Sequence, residues 1–241
     1  MRAKPPPSSD PLDSHESRWH IMPNLAQLQE TALRMILEAA ESAIRARGKF
    51  HLVLAGGDTP RAIYRQLRSA HTDWPAWHVY FSDERCLSST DPRRNSVMAG
   101  EAWLDYVDIP ADHLYTIPGE LGADLAACEY AQTLKSIGMF DLTLLGLGED
   151  GHTASLFPGQ EWGTEADSPD ALAVLNAPKP PAQRVSLSAI RLSRSLQTIF
   201  LVSGESKRNA VQRWRAGDAI PARAIMPENG VDILVESALL S

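Results

Sequence analysis

Apolar positions along the chain recur first at helical spacing and then in a short unbroken run. From Asn24 to Gly48 they return every three to four residues, which predicts a helix capped by Asn24 with Gln27 as its capping-box partner. The run "FHLVLA" at 50–55 follows, and it is bounded by glycines, which is typical of a buried strand. The chain therefore opens with a helix followed by a strand.

The same alternation continues to the end of the chain. Most of the predicted strands are apolar on both faces, which favours an α/β fold with an open, mainly parallel sheet and helices on both faces. Frequent prolines around 155–195 leave room for a small subdomain within a single α/β domain at 24–241. The remaining helices are predicted at 61–69, 95–106, 123–137 and 205–215, and the remaining strands at 77–82, 114–117, 140–146, 184–188, 198–204 and 231–236.

Residues 1–23 have a different composition from the rest of the chain. Prolines 5–7 are followed by two serines, which predicts a disordered leader, and the segment lacks the apolar core of a signal peptide. No run of about 18 apolar residues occurs, so we expect no membrane segment. The cysteines show no zinc spacing, and we expect free thiols in a cytoplasmic protein.

The charge balance limits the partners. The 241 residues carry a net charge of −7, with 44% hydrophobic and 22% charged residues, as in an ordinary globular protein. An acidic chain is a poor candidate for binding nucleic acid or an anionic membrane, so neither is expected as a partner. A local cluster of basic side chains would still bind a small anion.

Polar segments follow four of the predicted strands. In open parallel sheets, ligands bind beyond the carboxyl ends of the strands. We therefore expect these segments to converge on one crevice. They are "GGDTP" (56–60), "SDERC" (82–86), "GEDGHTAS" (148–155) and "SGESK" (203–207).

The third segment contains a formal dinucleotide-binding fingerprint, Gly146-x-Gly148-x-x-Gly151. That fingerprint requires a helix that opens at the third glycine and a strand that ends in an acidic residue about 20 positions later. Pro158 and Gly159 interrupt the segment too early, and the acidic residues at a suitable distance have no strand before them. A nucleotide cofactor is therefore not expected.

A catalytic role fits this loop better. His152 is the only nearby side chain whose ordinary pKa allows it to act as a base near neutral pH, and Asp150 could orient it. Thr153 and Ser155 add hydroxyls, and backbone N–H groups of the loop could meet an oxyanion. A purely structural glycine-rich loop remains the alternative.

The segment "SDERC" offers a carboxylate and a guanidinium. Strand alternation directs Asp83 and Arg85 to the same side, where they would suit a polyol phosphate. A surface salt bridge is the alternative interpretation.

The segment "GGDTP" favours a phosphate site at a helix start. Gly56 and Gly57 permit close approach of the backbone, Thr59 can cap the helix, and Pro60 suits its first position. A strand-to-helix turn without a ligand is equally consistent with these residues.

Arg184 and Lys207 are two further basic candidates. Lys207 lies in the first turn of a predicted helix, where the dipole already favours a phosphate. Each residue, taken by itself, could equally be a solvated charge. The chain has no G-x-S-x-G segment, so a covalent serine mechanism has no support.

Taken together, these segments are similar to those of the 6-phosphogluconolactonase family. The resemblance rests on "GLGEDGHTASLFPG", "SDERC" followed by "RRNS", "AGGDTP", "PAQRVSLS" and "SGESK", and it extends from about residue 25 to residue 238. It implies hydrolysis of 6-phospho-D-glucono-1,5-lactone to 6-phosphogluconate, the second step of the oxidative pentose phosphate pathway. It also implies a Rossmann-like sheet and no cofactor. No metal site is expected either, because the sequence shows no cluster with metal-ligand spacing.

The resemblance assigns roles to individual residues. His152 would be the base, Asp150 and Asp83 the catalytic carboxylates, and the substrate would be a sugar-phosphate lactone. A monomer or a weak homodimer is expected. The substrate-binding residues would be Gly56, Gly57, Thr59, Arg85, Arg184 and Lys207.

Two positions depart from the family pattern. Asp58 brings a carboxylate to the expected phosphate loop, and Arg94 stands where a serine is frequent, which would add a cation near the site. Two other functions stay open. A sugar-phosphate isomerase or deaminase of this fold usually shows an "IAFNEP"-like sequence where this chain has "TASLFPG", and a sugar-phosphate sensor usually carries a DNA-binding module.

Overall fold

The computed structural model describes residues 17–241, and residues 1–16 of the predicted leader lie outside the described part. The strands are β1 Ser17–Met22, β2 Phe50–Leu54, β3 Trp77–Phe81, β4 Asp83–Arg85, β5 Leu114–Tyr115, β6 Phe140–Gly146, β7 Ala171–Val174, β8 Arg184–Leu187, β9 Ser195–Val202 and β10 Val231–Glu236. The α-helices are α1 Leu25–Arg47, α2 Asp58–Leu67, α3 Asn95–Ala102, α4 Ala123–Leu134, α5 Ala189–Ser193 and α6 Arg208–Ala216.

The main sheet has seven parallel strands in the order β1-β10-β9-β6-β2-β3-β5. All five residues of β2 are buried, as expected for a central strand covered on both faces. The predicted α/β class and the mainly parallel sheet are confirmed.

A second, antiparallel sheet has the order β4-β8-β7. Strands β7 and β8 lie in the segment where the sequence left room for a subdomain, but their third partner comes from 83–85. This small sheet joins the segment after β3 to the proline-rich part of the chain. It thereby brings two distant polar segments together.

The helix α1 forms as predicted. The Asn24 side chain accepts the Gln27 backbone N–H at 3.0 Å, and Gly48 ends the helix with φ +73°. One face of α1 is fully buried against the sheet, through Leu28, Ala32, Ile36, Ala40 and Ala43.

The predicted leader is wrong for residues 17–22. They form the edge strand β1, which pairs in parallel with β10. Arg18 Nε and His20 Nε2 each lie 2.8 Å from Asp232 Oδ1, and Trp19 packs edge-on against Trp214 at 5.9 Å. The strand has no apolar run because it is an edge strand, so its sequence lacks the signal of a buried strand.

The start of α2 also differs from the prediction. The helix begins at Asp58 rather than Arg61, and its cap position is Gly57, with φ +109°. Thr59 therefore does not cap the helix, and its Oγ1 instead lies 2.6 Å from Ser203 Oγ. Pro60 is the third helical residue, where a missing N–H is still tolerated.

Some other helices and strands have different ends from those predicted, and several short elements were not predicted. Helix α3 stops at Ala102 because Trp103 leaves the helical conformation with φ −157° and is completely buried. A 3₁₀ turn, Glu205–Lys207, precedes α6. The sequence did not predict β4, β7 or α5, which are too short for periodicity to reveal. Between residues 17 and 241, no helix is long and apolar enough to cross a membrane.

Candidate active site

The carboxyl ends of β2, β3, β6 and β9 open onto one cavity of about 410 Å³. All four polar segments singled out in the sequence contribute to its wall, as the position of strand ends in a parallel sheet predicts. The lining residues are Ala55, Gly56, Gly57, Ser82, Asp83, Arg85, Asn95, Gly146, Leu147, Gly148, His152, Ala154, Lys179, Pro180, Arg184 and Lys207.

The cavity is positively charged in a chain that is acidic overall. Four cationic side chains line it, Arg85, Lys179, Arg184 and Lys207, against the single carboxylate of Asp83, whereas the whole chain carries a net charge of −7. Charged side chains attract a ligand of opposite charge more strongly inside a concave site than on an exposed surface, because less water screens them. The cavity therefore suits an anionic ligand.

His152 is oriented by the aspartate two positions before it. Its Nδ1 lies 2.5 Å from Asp150 Oδ1, and the same oxygen accepts the His152 backbone N–H at 3.1 Å. Partial burial raises the pKa of Asp150, but the hydrogen bonds from His152 outweigh it and hold that pKa below its usual value. An ionised Asp150 can only accept, so Nδ1 carries the proton and Nε2 is left as a proton acceptor.

The glycines of this loop serve its packing. A Cβ on Gly148 would lie 1.9 Å from His152 Nδ1, and Gly151 has φ +89° with Ile220 pressed against it. The chain then turns back through 153–156, where the Leu156 N–H donates to the Thr153 carbonyl at 2.9 Å. Because no helix opens at Gly151, the dinucleotide interpretation lacks the element it needs.

The ring of Phe157 contacts two of the polar residues. It lies 4.8 Å from the His152 ring and 5.6 Å from the Arg184 guanidinium. Phe157 is 1% exposed, so its ring is held in place by the surrounding core. The imidazole and the guanidinium are thereby held over the same aromatic ring.

Asp83 is held by hydrogen bonds on both carboxylate oxygens. Asn95 Nδ2 donates to Oδ1 at 3.0 Å, and Ser155 Oγ donates to Oδ2 at 2.6 Å. The predicted alternation is confirmed, since Asp83 and Arg85 both line the cavity while Glu84 is fully buried. This bonding fixes the Asp83 carboxylate in the cavity wall, and its expected catalytic role stays a prediction.

Glu84 holds the neighbouring helix in place. Its carboxylate accepts the backbone N–H groups of Asn95 at 2.7 Å and Ser96 at 2.8 Å, at the start of α3. Arg94 Nε lies 3.4 Å away, and Arg94 Nη1 also donates to Glu120 at 2.7 Å. The buried Glu84 carboxylate thus links β4 to the start of α3, and it holds Asn95, whose side chain donates to Asp83.

The two departures from the family pattern do not reach the cavity. Arg94 is 3% exposed and faces Glu84 and Glu120, so the expected extra cation near the substrate is wrong. The Asp58 carboxylate is 91% exposed and pairs with Arg61 at 2.6 Å. Neither side chain lines the cavity, and the Asp58 charge is directed away from it.

Arg184 lines the cavity and also shapes it. Its Nη2 donates to the Lys179 carbonyl at 2.8 Å, and its Nε donates to the Pro181 carbonyl at 3.1 Å. Nη1 lies 3.4 Å from Ser155 Oγ, which connects it to Asp83. Burial lowers the pKa of Arg184 and Asp83 raises it, with a net lowering that leaves an arginine charged.

Lys207 faces the cavity from the turn after β9. Burial lowers its pKa, and the nearby Lys179 lowers it further, while Glu149 and Asp150 raise it, with a net lowering. Gly56 also lines the cavity, and glycine is required there because a Cβ would lie 2.2 Å from Asn95 Oδ1. Thr59 and Asp150 do not line the cavity, although Asp150 contacts His152, which does.

Asn95 and Lys179 are among the lining residues that the sequence analysis did not single out. Asn95 stood inside the quoted segment "RRNS", which was the available signal. Lys179 is a single lysine in a proline-rich segment, and no local pattern distinguishes it. Among residues 17–241, no group of three or more His, Cys, Asp or Glu side chains could hold a metal ion.

Comparisons with known proteins find relatives of this chain. The sequence model of the family "Glucosamine-6-phosphate isomerases/6-phosphogluconolactonase" matches residues 23–234. A 6-phosphogluconolactonase of Nostoc is 32% identical over 231 residues, which cover 90% of this chain and 95% of that protein. One of Synechocystis is 35% identical over 221 residues, which cover 86% of this chain and 90% of that protein.

A solved structure supports the fold. The 6-phosphogluconolactonase of Thermotoga maritima superimposes with a TM-score of 0.84 at 24% identity, covering 92% of this chain and all of that chain. At that level of identity, the superposition bears on the fold alone. The sequence matches bear on the family.

Proposed function

The chain belongs to the glucosamine-6-phosphate isomerase/6-phosphogluconolactonase family, and from that premise we propose how its cavity hydrolyses 6-phospho-D-glucono-1,5-lactone to 6-phospho-D-gluconate. This reaction is the second step of the oxidative pentose phosphate pathway, and it makes the chain a carboxylic ester hydrolase. One observation carries the proposal: an imidazole oriented by a carboxylate opens into a cationic cavity.

His152 supplies the general base. Its Nε2 takes a proton from water while the water oxygen attacks C1 of the lactone, which forms a tetrahedral oxyanion. The C1–O bond to the ring oxygen then breaks, the carbonyl reforms as a carboxylic acid, and the imidazolium returns its proton to the departing oxygen. Asp150 stabilises the transient imidazolium through its 2.5 Å contact with Nδ1.

The oxyanion needs donors that are already in place. Backbone N–H groups of the loop that carries His152 are the candidates. Ala154 lines the cavity with φ +47°, a conformation that residues other than glycine rarely adopt. We assign this strained turn to the presentation of backbone donors to the substrate.

The phosphate is assigned to Lys207 and Arg184. A phosphate dianion is the most charged part of this substrate, and these two residues are cationic and partly withdrawn from water. Asp83 and Arg85 lie on the β4 side of the same cavity, where a carboxylate and a guanidinium suit sugar hydroxyls. The phosphate end of the substrate would therefore lie against Lys207 and Arg184, and its C1 atom would lie near His152.

The reaction class is tested by direct assay. Fresh lactone is generated in place with glucose-6-phosphate dehydrogenase, and its decay is compared with a buffer blank because the lactone also hydrolyses unaided. Faster decay with the protein is expected, without ammonia release from glucosamine 6-phosphate and without ketose formation from ribose 5-phosphate. Decay equal to the blank, together with activity on either of those sugars, would assign the isomerase or deaminase branch instead.

Two expectations remain predictions. A cytoplasmic location is tested by cell fractionation. A monomer or a weak homodimer is tested by size-exclusion chromatography with light scattering over a range of protein concentrations.

A further inference from the structure

Glu149 and Lys179 form a pair at the edge of the cavity that the mechanism above does not use. Lys179 Nζ lies 3.9 Å from Glu149 Oε2, and each of the two side chains is 53% exposed. Lys179 lines the cavity, whereas Glu149 does not. Glu149 stands in the loop that carries His152, so the pair connects that loop to the proline-rich segment before β8.

Glu149 contacts one amine, that of Lys179, and acts electrostatically on a second, that of Lys207. Lys207 is also within its electrostatic reach, since Glu149 raises the pKa of Lys207 while Lys179 lowers it. Lys179 and Lys207 thus repel each other. Within residues 17–241, Glu149 is the carboxylate that forms an ion pair with Lys179. Two ammonium groups near one carboxylate leave one positive charge without compensation, and a dianion such as phosphate would neutralise both amines.

The backbone of Lys179 is also hydrogen-bonded to Arg184. Its carbonyl accepts the Arg184 guanidinium at 2.8 Å, which fixes its backbone, while its side chain stays partly exposed and able to turn. An exposed ion pair at 3.9 Å is weak, so little free energy opposes its opening. Lys179 is therefore fixed at its base and movable at its amine.

We propose that Lys179 is a third phosphate ligand and that Glu149 is an internal competitor, which holds the Lys179 amine until the phosphate of the substrate displaces it. This proposal rests on the function proposed above and deepens it. The pair then contributes to specificity: a phosphorylated lactone offers two negative charges in exchange for the one of Glu149, whereas an unphosphorylated lactone offers none.

The test measures binding separately from turnover. Calorimetric titration with 6-phosphogluconate and with gluconate is carried out on the full chain and on Lys179→Gln, Glu149→Gln and the double variant. Lys179→Gln is expected to weaken 6-phosphogluconate binding about tenfold, as for a lost charge-assisted contact. Glu149→Gln is expected to tighten it by about two- to fivefold, the range of a weak exposed pair.

The double variant isolates the competition. If Glu149 acts through Lys179, the gain from Glu149→Gln is smaller when Lys179 is already replaced. Glu129→Gln, on the exposed side of α4, and Lys135→Gln, at the exposed residue after α4, are matched charge controls and are expected to change nothing. Gluconate binding is expected to stay the same in every variant.

The outcomes separate this inference from the proposed function. Unchanged 6-phosphogluconate affinity in Lys179→Gln overturns the phosphate role of Lys179, whatever the lactonase assay shows. Weaker binding in Glu149→Gln, or an equal gain with and without Lys179, overturns the competition. Selective 6-phosphogluconate binding in a protein without lactonase activity would support the phosphate site and reject the reaction.

Discussion

Nδ1 of His152 lies 2.5 Å from Oδ1 of Asp150, and the two residues are separated by one glycine. The orienting carboxylate therefore lies in the same tight loop as the proposed base, only two positions away in the sequence. Arg213 Nη1 donates to the Asp150 carbonyl at 3.0 Å, which fixes the loop from the side of α6. The imidazole is thus held with Nε2 as the proton acceptor.

The first prediction concerns the base. His152→Ala is expected to lower kcat for 6-phosphogluconolactone by at least about 10²-fold, because a general base contributes about that much. The KM is expected to change little, since the phosphate ligands stay in place. Steady-state assays corrected for spontaneous hydrolysis measure both constants, and circular dichroism checks the fold.

Asp150→Asn is the companion variant. It keeps the size of the side chain and removes the charge that stabilises the imidazolium, so kcat falls while the fold is retained. A folded His152→Ala protein with near-normal turnover would remove His152 from the mechanism.

The second prediction concerns the phosphate. Lys207→Ala is expected to raise KM for the phosphorylated lactone by about tenfold or more, because a charge-assisted contact contributes about 1.5–3 kcal/mol. Arg184→Ala is expected to act in the same direction and also to lower Tm, since the guanidinium holds the carbonyls of Lys179 and Pro181. Unphosphorylated gluconolactone is the control substrate. Equal damage to its hydrolysis by Lys207→Ala would mean that Lys207 is not a phosphate ligand.

The third prediction is that activity does not depend on a metal ion. Its basis is the sequence, which has no His, Cys or carboxylate cluster with ligand spacing. Dialysis against EDTA is expected to leave the rate of lactone hydrolysis unchanged. A loss that a divalent cation restores would contradict this expectation.

The fourth prediction concerns a buried carboxylate behind the cavity. Glu84→Ala is expected to reduce the free energy of unfolding by about 3–5 kcal/mol. It removes the acceptor of the Asn95 and Ser96 backbone N–H groups and one of the two carboxylates beside the buried Arg94. Urea denaturation measures the change. Glu120→Gln is the control, since Glu120 is half-exposed and its loss is expected to matter much less. Similar values for the two variants would show that burial of Glu84 does not set its contribution.

The fifth prediction concerns acid stability at the opposite ends of the strands. Burial lowers the pKa of His51 to about 4 from 6.5, and the neighbouring His78, Lys49, Arg47 and Arg191 lower it as well. Between pH 6.5 and about 4, His51 is therefore protonated in the unfolded chain and neutral in the folded chain. The free energy of unfolding is therefore expected to fall as the pH drops from 6.5 towards 4, by up to about 3 kcal/mol.

His51→Gln tests this dependence. Glutamine is neutral at every pH and can still contact Tyr80 Oη, which lies 3.0 Å from His51 Nδ1. Its unfolding free energy is expected to depend less on pH between 6.5 and 4 than that of the unchanged chain. The control is His71→Gln, an exposed position, where the pH dependence is expected to stay the same. An equal slope in the His51 variant would reject the buried histidine as the cause.

Local periodicity determined much of the fold in advance. The bounds of β6 and β10 and the helix between Asn24 and Gly48 follow from patterns that involve only near neighbours, and the structure has them where the sequence predicts them. The four polar segments at strand ends were predicted to meet because parallel strands end at one edge, and they do line one cavity. The family resemblance in those same segments is confirmed by the comparisons.

Only the tertiary structure decided what depends on distant partners. The strand β1 forms by pairing with β10, which lies more than 200 residues later in the chain. The small sheet forms by pairing of β4 with the distant β8. No local sequence pattern therefore predicts either of them. Side-chain direction is decided in the same way: Arg94 turns to Glu84 and Glu120, while Lys179 reaches the cavity. Periodicity records which face of an element is apolar, whereas the identity of the group opposite a charge is fixed only when the chain has folded.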